Sequence, residues 1–224
     1  MPITDQTLNR ADLVALLDES PAPIEFEGCV FDGEDLSDLT LRDCTFLRCS
    51  AAETSFRRAK LDNTRWLGCK ARSIDFGAAH LTDARFKDSD FNNSSWARAK
   101  LASSMFEGVK LTGAVFTGIS ALGLEFSDSL LVGADMRGFS FRKQRLVKLD
   151  FSGADLSGCD FREVVFEGGS LREAHLVDAR FDGADLREVE LGTLKIRTAP
   201  IFKRATISYA QAALLANDLG ILVA

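Results

Sequence analysis

The stretch Ala154-Asp155-Leu156-Ser157-Gly158-Cys159-Asp160-Phe161-Arg162-Glu163-Val164-Val165-Phe166 places a large apolar residue at every fifth position: Leu156, Phe161 and Phe166. Followed outward, the spacing holds from Phe26 to Ile201. Of 36 positions read at steps of five, 33 carry Phe, Leu, Trp, Met or Ile, and the other three are Ala51, Ala71 and Ala121. Fifteen of the 17 phenylalanines and both tryptophans, Trp66 and Trp96, belong to this class. A period of five fits neither the 3.6 of a helix nor the 2 of a flat strand. The chain must turn in space once every few pentapeptides, as repeat architectures do.

A second inward column lies two residues before each large one and holds small residues, among them Cys49, Ala59, Ala79, Ala99, Ala134 and Ala184. The position two after carries 13 of the 17 glycines, which suits a corner. The remaining two positions are polar and face outward. Phe139, in the small column, and Phe202, beside the last large position, are the two phenylalanines out of register.

Ala134-Asp135-Met136-Arg137-Gly138, Ala154-Asp155-Leu156-Ser157-Gly158 and Ala184-Asp185-Leu186-Arg187-Glu188 resemble the A-(D/N)-L-x-x pattern of the pentapeptide repeat family. The resemblance covers about four-fifths of the chain. It implies an all-β fold, a right-handed quadrilateral parallel β-helix with four pentapeptides per coil, hence about nine coils and a rod of about 43 Å. The large column Phe26, Phe46, Trp66, Phe86, Phe106, Phe126, Leu146, Phe166 and Leu186 would then stack like on like.

Composition narrows the function. No run of 18 apolar residues spans a bilayer, and residues 1–9 lack a basic and apolar leader, so a cytoplasmic protein without membrane contact is expected. All five cysteines (Cys29, Cys44, Cys49, Cys69 and Cys159) sit in the small inward column, where a free thiol acts as a small apolar residue. His80 and His175 stand 95 residues apart at outward positions and cannot share a metal or a triad. No phosphate loop, nucleophile elbow or HExxH motif occurs. The sequence predicts no enzyme, no cofactor and no metal.

The ends depart from the repeat, dividing the chain into an N-terminal helical cap (1–23), the β-helix (24–203) and a C-terminal helix and strand (204–224). Asn9 is a good N-cap for a helix whose Leu13, Leu16 and Leu17 form one stripe, and Pro21 and Pro23 follow. Ser208-Tyr209-Ala210-Gln211 is a capping box, Gly220 a C-cap, and Ile221-Leu222-Val223 a short apolar strand. Ile207, Tyr209, Leu214, Leu215, Leu219, Ile221, Leu222 and Val223 carry more apolar surface than one end coil needs, and a twofold homodimer through the C-terminus is expected, with an intramolecular lid as the alternative.

Ser120-Ala121-Leu122-Gly123-Leu124-Glu125-Phe126 and the tail 208–223 resemble segments of the Qnr and MfpA group within the family. That resemblance implies binding to a type II topoisomerase, DNA gyrase or topoisomerase IV, by imitation of duplex DNA, with quinolone or toxin resistance as an outcome. Several members of the group carry loops that interrupt the coils, whereas this sequence keeps register from 26 to 201.

Charge tests the mimicry. The chain carries 27 Lys and Arg against 33 Asp and Glu, net -6, while a duplex of 43 Å carries on the order of 25 charges. Global mimicry fails. Between 149 and 190, however, eleven acids (Asp150, Asp155, Asp160, Glu163, Glu167, Glu173, Asp178, Asp182, Asp185, Glu188 and Glu190) face four arginines, Arg162, Arg172, Arg180 and Arg187. This belt is the candidate partner surface. Two basic stretches oppose it, one from Arg42 to Arg72 and one formed by Arg137, Arg142, Lys143, Arg145 and Lys148. With negative net charge and no base-stacking aromatics outside the core, direct nucleic-acid binding is not expected. Two readings stay open: a topoisomerase-binding DNA mimic, and a non-catalytic rigid scaffold for another cytoplasmic protein.

Overall fold

Each twenty residues meet the next at four places. From Glu25 the register runs Glu25↔Thr45, Val30↔Ser50, Asp35↔Ser55 and Thr40↔Lys60, all parallel. Four contacts per twenty residues define a four-sided coil, and this is why five governs the sequence. The sides are centred on Phe26, Phe31, Leu36 and Leu41 and are termed first to fourth. The structure is a computed structural model and describes residues 2–19, 23–192, 201–218 and 220–222. It divides into two compact units, residues 1–130 and 131–224.

In the first unit, β1 (Ile3–Thr4), β2 (Glu25–Glu27), β3 (Thr45–Leu47), β4 (Arg65–Leu67), β5 (Arg85–Lys87), β6 (Met105–Glu107) and β7 (Glu125–Ser127) pair in order and in parallel. The corner residue is left-handed, with φ of 73° at Gly33 and 58° at Asn63 and Arg58 alike. Glycine is therefore favoured at corners, not required, because turns with a left-handed third residue accept other side chains at a cost. Inside, the expected ladder forms. Phe46 and Trp66 stack at 4.0 Å, Phe86 and Phe106 at 4.5 Å, and Phe106 and Phe126 at 5.0 Å. A second ladder on the third side meets it edge on, Phe56 lying 5.6 Å from Trp66 at 87°. Such geometry opposes ring edge to ring face.

The N-terminal cap is more than a helix. Before α1 (Arg10–Glu19), Ile3 pairs with Phe26 and Thr7 with Val30, so residues 3–7 already supply part of a rung. Asn9 caps α1 as expected: its side chain accepts from the Asp12 N–H at 3.1 Å, and its own N–H donates to the Asp12 carboxylate at 2.9 Å. Leu8 and Leu13 are buried. Arg10 fastens the helix start to the first coil by donating to the carbonyls of Asp35 and Ser37 at 2.7 and 2.9 Å.

In the second unit, β8 (Arg145–Val147) and β9 (Val165–Glu167) pair in parallel. Here the aromatic ladder occupies the fourth side instead, Phe141, Phe161 and Phe181 stacking at 5.0 and 4.8 Å. The eight three-residue strands recur every twenty residues, and Asp185, bridged to Val165 and to Thr206, marks the ninth coil. The Asp185↔Thr206 offset is 21 residues, not twenty. Register therefore slips by one after Glu190, and Phe202, not Ile201, continues the ladder, 4.9 Å from Phe181. The unbroken register expected up to 201 is corrected at this last rung, where no further coil constrains the spacing.

Helix α2 (Tyr209–Asp218) closes the second unit. Its capping box forms: the Ser208 N–H donates to Gln211 Oε1 at 2.7 Å and the Gln211 N–H to Ser208 Oγ at 3.3 Å. Gly220, at φ 73°, ends it, with the Ile221 N–H returning to the Ala216 carbonyl at 3.0 Å. Ile221 and Leu222 are not in a strand, contrary to expectation, because the Ile221 N–H is taken up by the turn that ends α2. Val223 and Leu219 fall outside the described residues.

Candidate functional site

The belt residues all occupy outward or corner positions, but they wind around the coil. Asp150, Glu173 and Glu190 lie on the second side, Asp155 and Asp178 on the third, Asp160, Glu163 and Asp182 on the fourth, and Glu167, Asp185 and Glu188 on the first. A continuous acidic face does not result.

Neighbouring coils neutralise much of the belt. The basic stretch 137–148 sits one coil before it, so positions about twenty apart come into contact. Arg142 donates to Glu163 at 2.9 Å with Lys143 at 3.6 Å, Arg145 pairs with Glu167, and Arg137 lies 3.7 Å from Asp155. Within the belt, Arg187 grips Asp185 at 2.8 Å and Arg172 approaches Glu190 at 3.5 Å. Asp160 is the most enclosed. Arg162 embraces it with two hydrogen bonds of 2.8 and 2.7 Å, Arg180 adds a third at 3.1 Å, and its side chain is only 10% exposed. The Arg162 guanidinium holds the Asp160 carboxyl below the usual carboxylate range, Arg142 does the same for Glu163, and Arg187 for Asp185. Asp155 is lowered chiefly by its hydrogen bond with Ser157.

Asp150, Glu173, Asp178, Asp182 and Glu188 have no ion pair among the described residues. Over the second unit as a whole, 13 Lys and Arg meet 13 Asp and Glu, so the excess read between 149 and 190 is balanced within its own unit, and the net -6 resides in residues 1–130.

The C-terminal residues separate by depth. Ile207 and Leu215 are half-buried, whereas Tyr209 (97%), Leu214 (60%), Ile221 (54%) and Leu222 (93%) are exposed. Gln211 explains the division. Its amide donates to the carbonyls of Leu186 and Val189 at 2.7 and 2.8 Å, turning one helix face onto the last coil. Sequence pattern identified Gln211 as a cap but not as this latch, because its acceptors lie 25 and 22 residues away. A cleft of about 440 Å³ beside it brings together Glu173, Glu190, Arg172 and Leu214. Belt carboxylates and a predicted dimer residue thus share this surface.

His80 and His175 lie in the outward columns, bridged to Lys60 and Lys100 and to Asp155, respectively. Among the described residues no group of three or more His, Cys, Asp or Glu side chains is placed to hold a metal, and no helix is long and apolar enough to cross a membrane.

Profiles described as pentapeptide repeat region, pentapeptide repeats (8 copies) and pentapeptide repeats (9 copies) match residues 23–96, 79–118 with 125–163, and 150–190. No curated protein sequence matches the chain. Among solved structures, trypsin-treated QnrB1, a plasmid-mediated fluoroquinolone resistance protein, is similar with a TM-score of 0.71 at 24% identity, covering 87% of this chain and 98% of that one. Full-length QnrB1 gives 0.59 at 21%, covering 98% and 97%. HetL, a pentapeptide repeat protein involved in heterocyst differentiation regulation from the cyanobacterium Nostoc sp. strain PCC 7120, gives 0.50 at 18%, covering 84% and 86%. Likeness at these identities shows the fold, and with the matched repeats the conclusion is plain: the chain belongs to the pentapeptide repeat family.

Proposed function

We propose that the protein is a non-catalytic, cytoplasmic β-solenoid that binds a type II topoisomerase, DNA gyrase or topoisomerase IV, as a dimer joined through its C-terminal cap. The observation that carries this reading is the exposed apolar surface of the C-terminal cap. Gln211 fastens α2 to the last coil, while Tyr209 and Leu214 on the helix and Ile221 and Leu222 beyond it leave an apolar face in solvent. Burying such a face against its own copy is the ordinary use of a self-complementary patch. The likeness to QnrB1, a fluoroquinolone resistance protein, supports the choice of partner. Contact with that partner is assigned to the five carboxylates without ion pairs, Asp150, Glu173, Asp178, Asp182 and Glu188, because a carboxylate already held by arginine offers little further charge.

A second reading, a scaffold for a different cytoplasmic protein, draws on the charge balance of the second unit and on the likeness to HetL. A gyrase supercoiling assay with and without a quinolone separates the two. On the first reading the protein alters supercoiling, and removing residues 205–224 abolishes both the dimer and the effect. No effect at micromolar protein overturns it, and repeated capture of one non-topoisomerase partner establishes the second.

A further inference from the structure

Cys29, Cys49 and Cys69 stand at intervals of twenty in one small inward column. Their neighbours pair Val30↔Ser50 and Ser50↔Lys70, so the three thiols lie in line on consecutive coils. The column continues with Ser89, Val109 and Ser129, all buried. All three thiols make the same contact, each donating to a carbonyl of the coil before: Cys29 to Ile3 at 3.3 Å, Cys49 to Phe26 at 3.4 Å and Cys69 to Phe46 at 3.2 Å. Beside Cys69 the surface opens into a cleft of about 450 Å³ whose wall includes Ser89, Lys70 and Lys110.

We propose that Cys49 and Cys69 form a two-coordinate site for a soft monovalent cation of the copper(I) type. In-register rungs are about 4.8 Å apart, and two metal–thiolate bonds of about 2.3 Å laid end to end span about 4.6 Å. A cation midway between the sulfurs is bound linearly with little backbone movement. The ligand set selects the metal. Zinc needs four ligands and hard cations need oxygens, whereas a thiolate-only pair suits copper(I).

Binding balances without oxidation. Two thiols release two protons, and two thiolates and one monovalent cation form a complex of charge -1. Lys70, Arg72 and Lys110 around the cleft outnumber Asp88 and Asp90. Arg72 is engaged with Asp90 at 2.9 Å, which leaves the two lysines to offset the complex.

The test is a copper(I) titration of the full-length protein under argon. It is read by sulfur-to-copper charge-transfer absorption, by copper per chain after desalting, and by circular dichroism. The expected result is one copper per chain with the β spectrum retained. Affinity should fall at least tenfold in Cys49→Ser and in Cys69→Ser, and stay unchanged in Cys29→Ser, Cys44→Ser and Cys159→Ser. Serine already occupies this column at 89 and 129, so the variants keep the fold. The site is overturned by absence of uptake, by equal uptake in Cys49→Ser and Cys69→Ser, by loss in Cys29→Ser, or by uptake only as the β spectrum disappears.

Discussion

The indole N–H of Trp96 donates to the hydroxyl of Ser94 at 2.7 Å, two residues away and wholly inside the coil; Trp66 does the same to Thr64 at 3.1 Å. The small inward column thus chooses a hydroxyl where the next large residue carries a donor. Ser94→Ala leaves a buried N–H without a partner and should cost about 1–3 kcal/mol. In a Trp96→Phe background the same change should cost much less, a coupling that a double-mutant cycle of urea midpoints measures.

Gly169 is the corresponding small residue one position from a corner glycine, with φ 86°. A Cβ there would stand 2.1 Å from the Leu149 carbonyl oxygen and 2.8 Å from its nitrogen. Gly169→Ala should lose about 3 kcal/mol or more, since backbone cannot step aside as a side chain can. Gly153→Ala, also left-handed at φ 65° but with nothing within 4 Å of the new atom, should lose only about 1–2 kcal/mol. Thermal melting of the two variants side by side checks the contrast.

Gln211 holds α2 by both ends of its amide. Gln211→Ala removes the capping acceptor and strands the Leu186 and Val189 carbonyls, with an expected loss of about 2–3 kcal/mol. The loss should be local. Hydrogen exchange is expected to rise in residues 209–218 while residues 25–127 keep their protection.

Asp160 sets a pH dependence. Its folded pKa lies below the unfolded value of about 3.9, so its contribution is fully present above that value and is lost as pH falls through the folded one. Asp160→Asn should be less stable than the parent by about 1–3 kcal/mol at pH 7. The gap should close progressively below about pH 4. A gap that stays constant from pH 7 to pH 3 would contradict the assignment of that stability to the ionised carboxylate.

What one dimension could carry was the coil. The five-residue period, the inward rows and the two helix caps Asn9 and Ser208 depend on residues at most five apart, and local turn geometry enforces them in every coil. Relations between coils were not legible in that way. The acidic belt read as a concentration of charge because counting along the chain separates Glu163 from Arg142 by 21 positions, whereas stacking places them 2.9 Å apart. The slip to a 21-residue offset at Thr206 and the latch of Gln211 on Leu186 have the same origin. Sequence by itself determined how the chain turns; only the stacked structure decided which charges and apolar faces remained for a partner, because those are whatever adjacent coils leave unpaired.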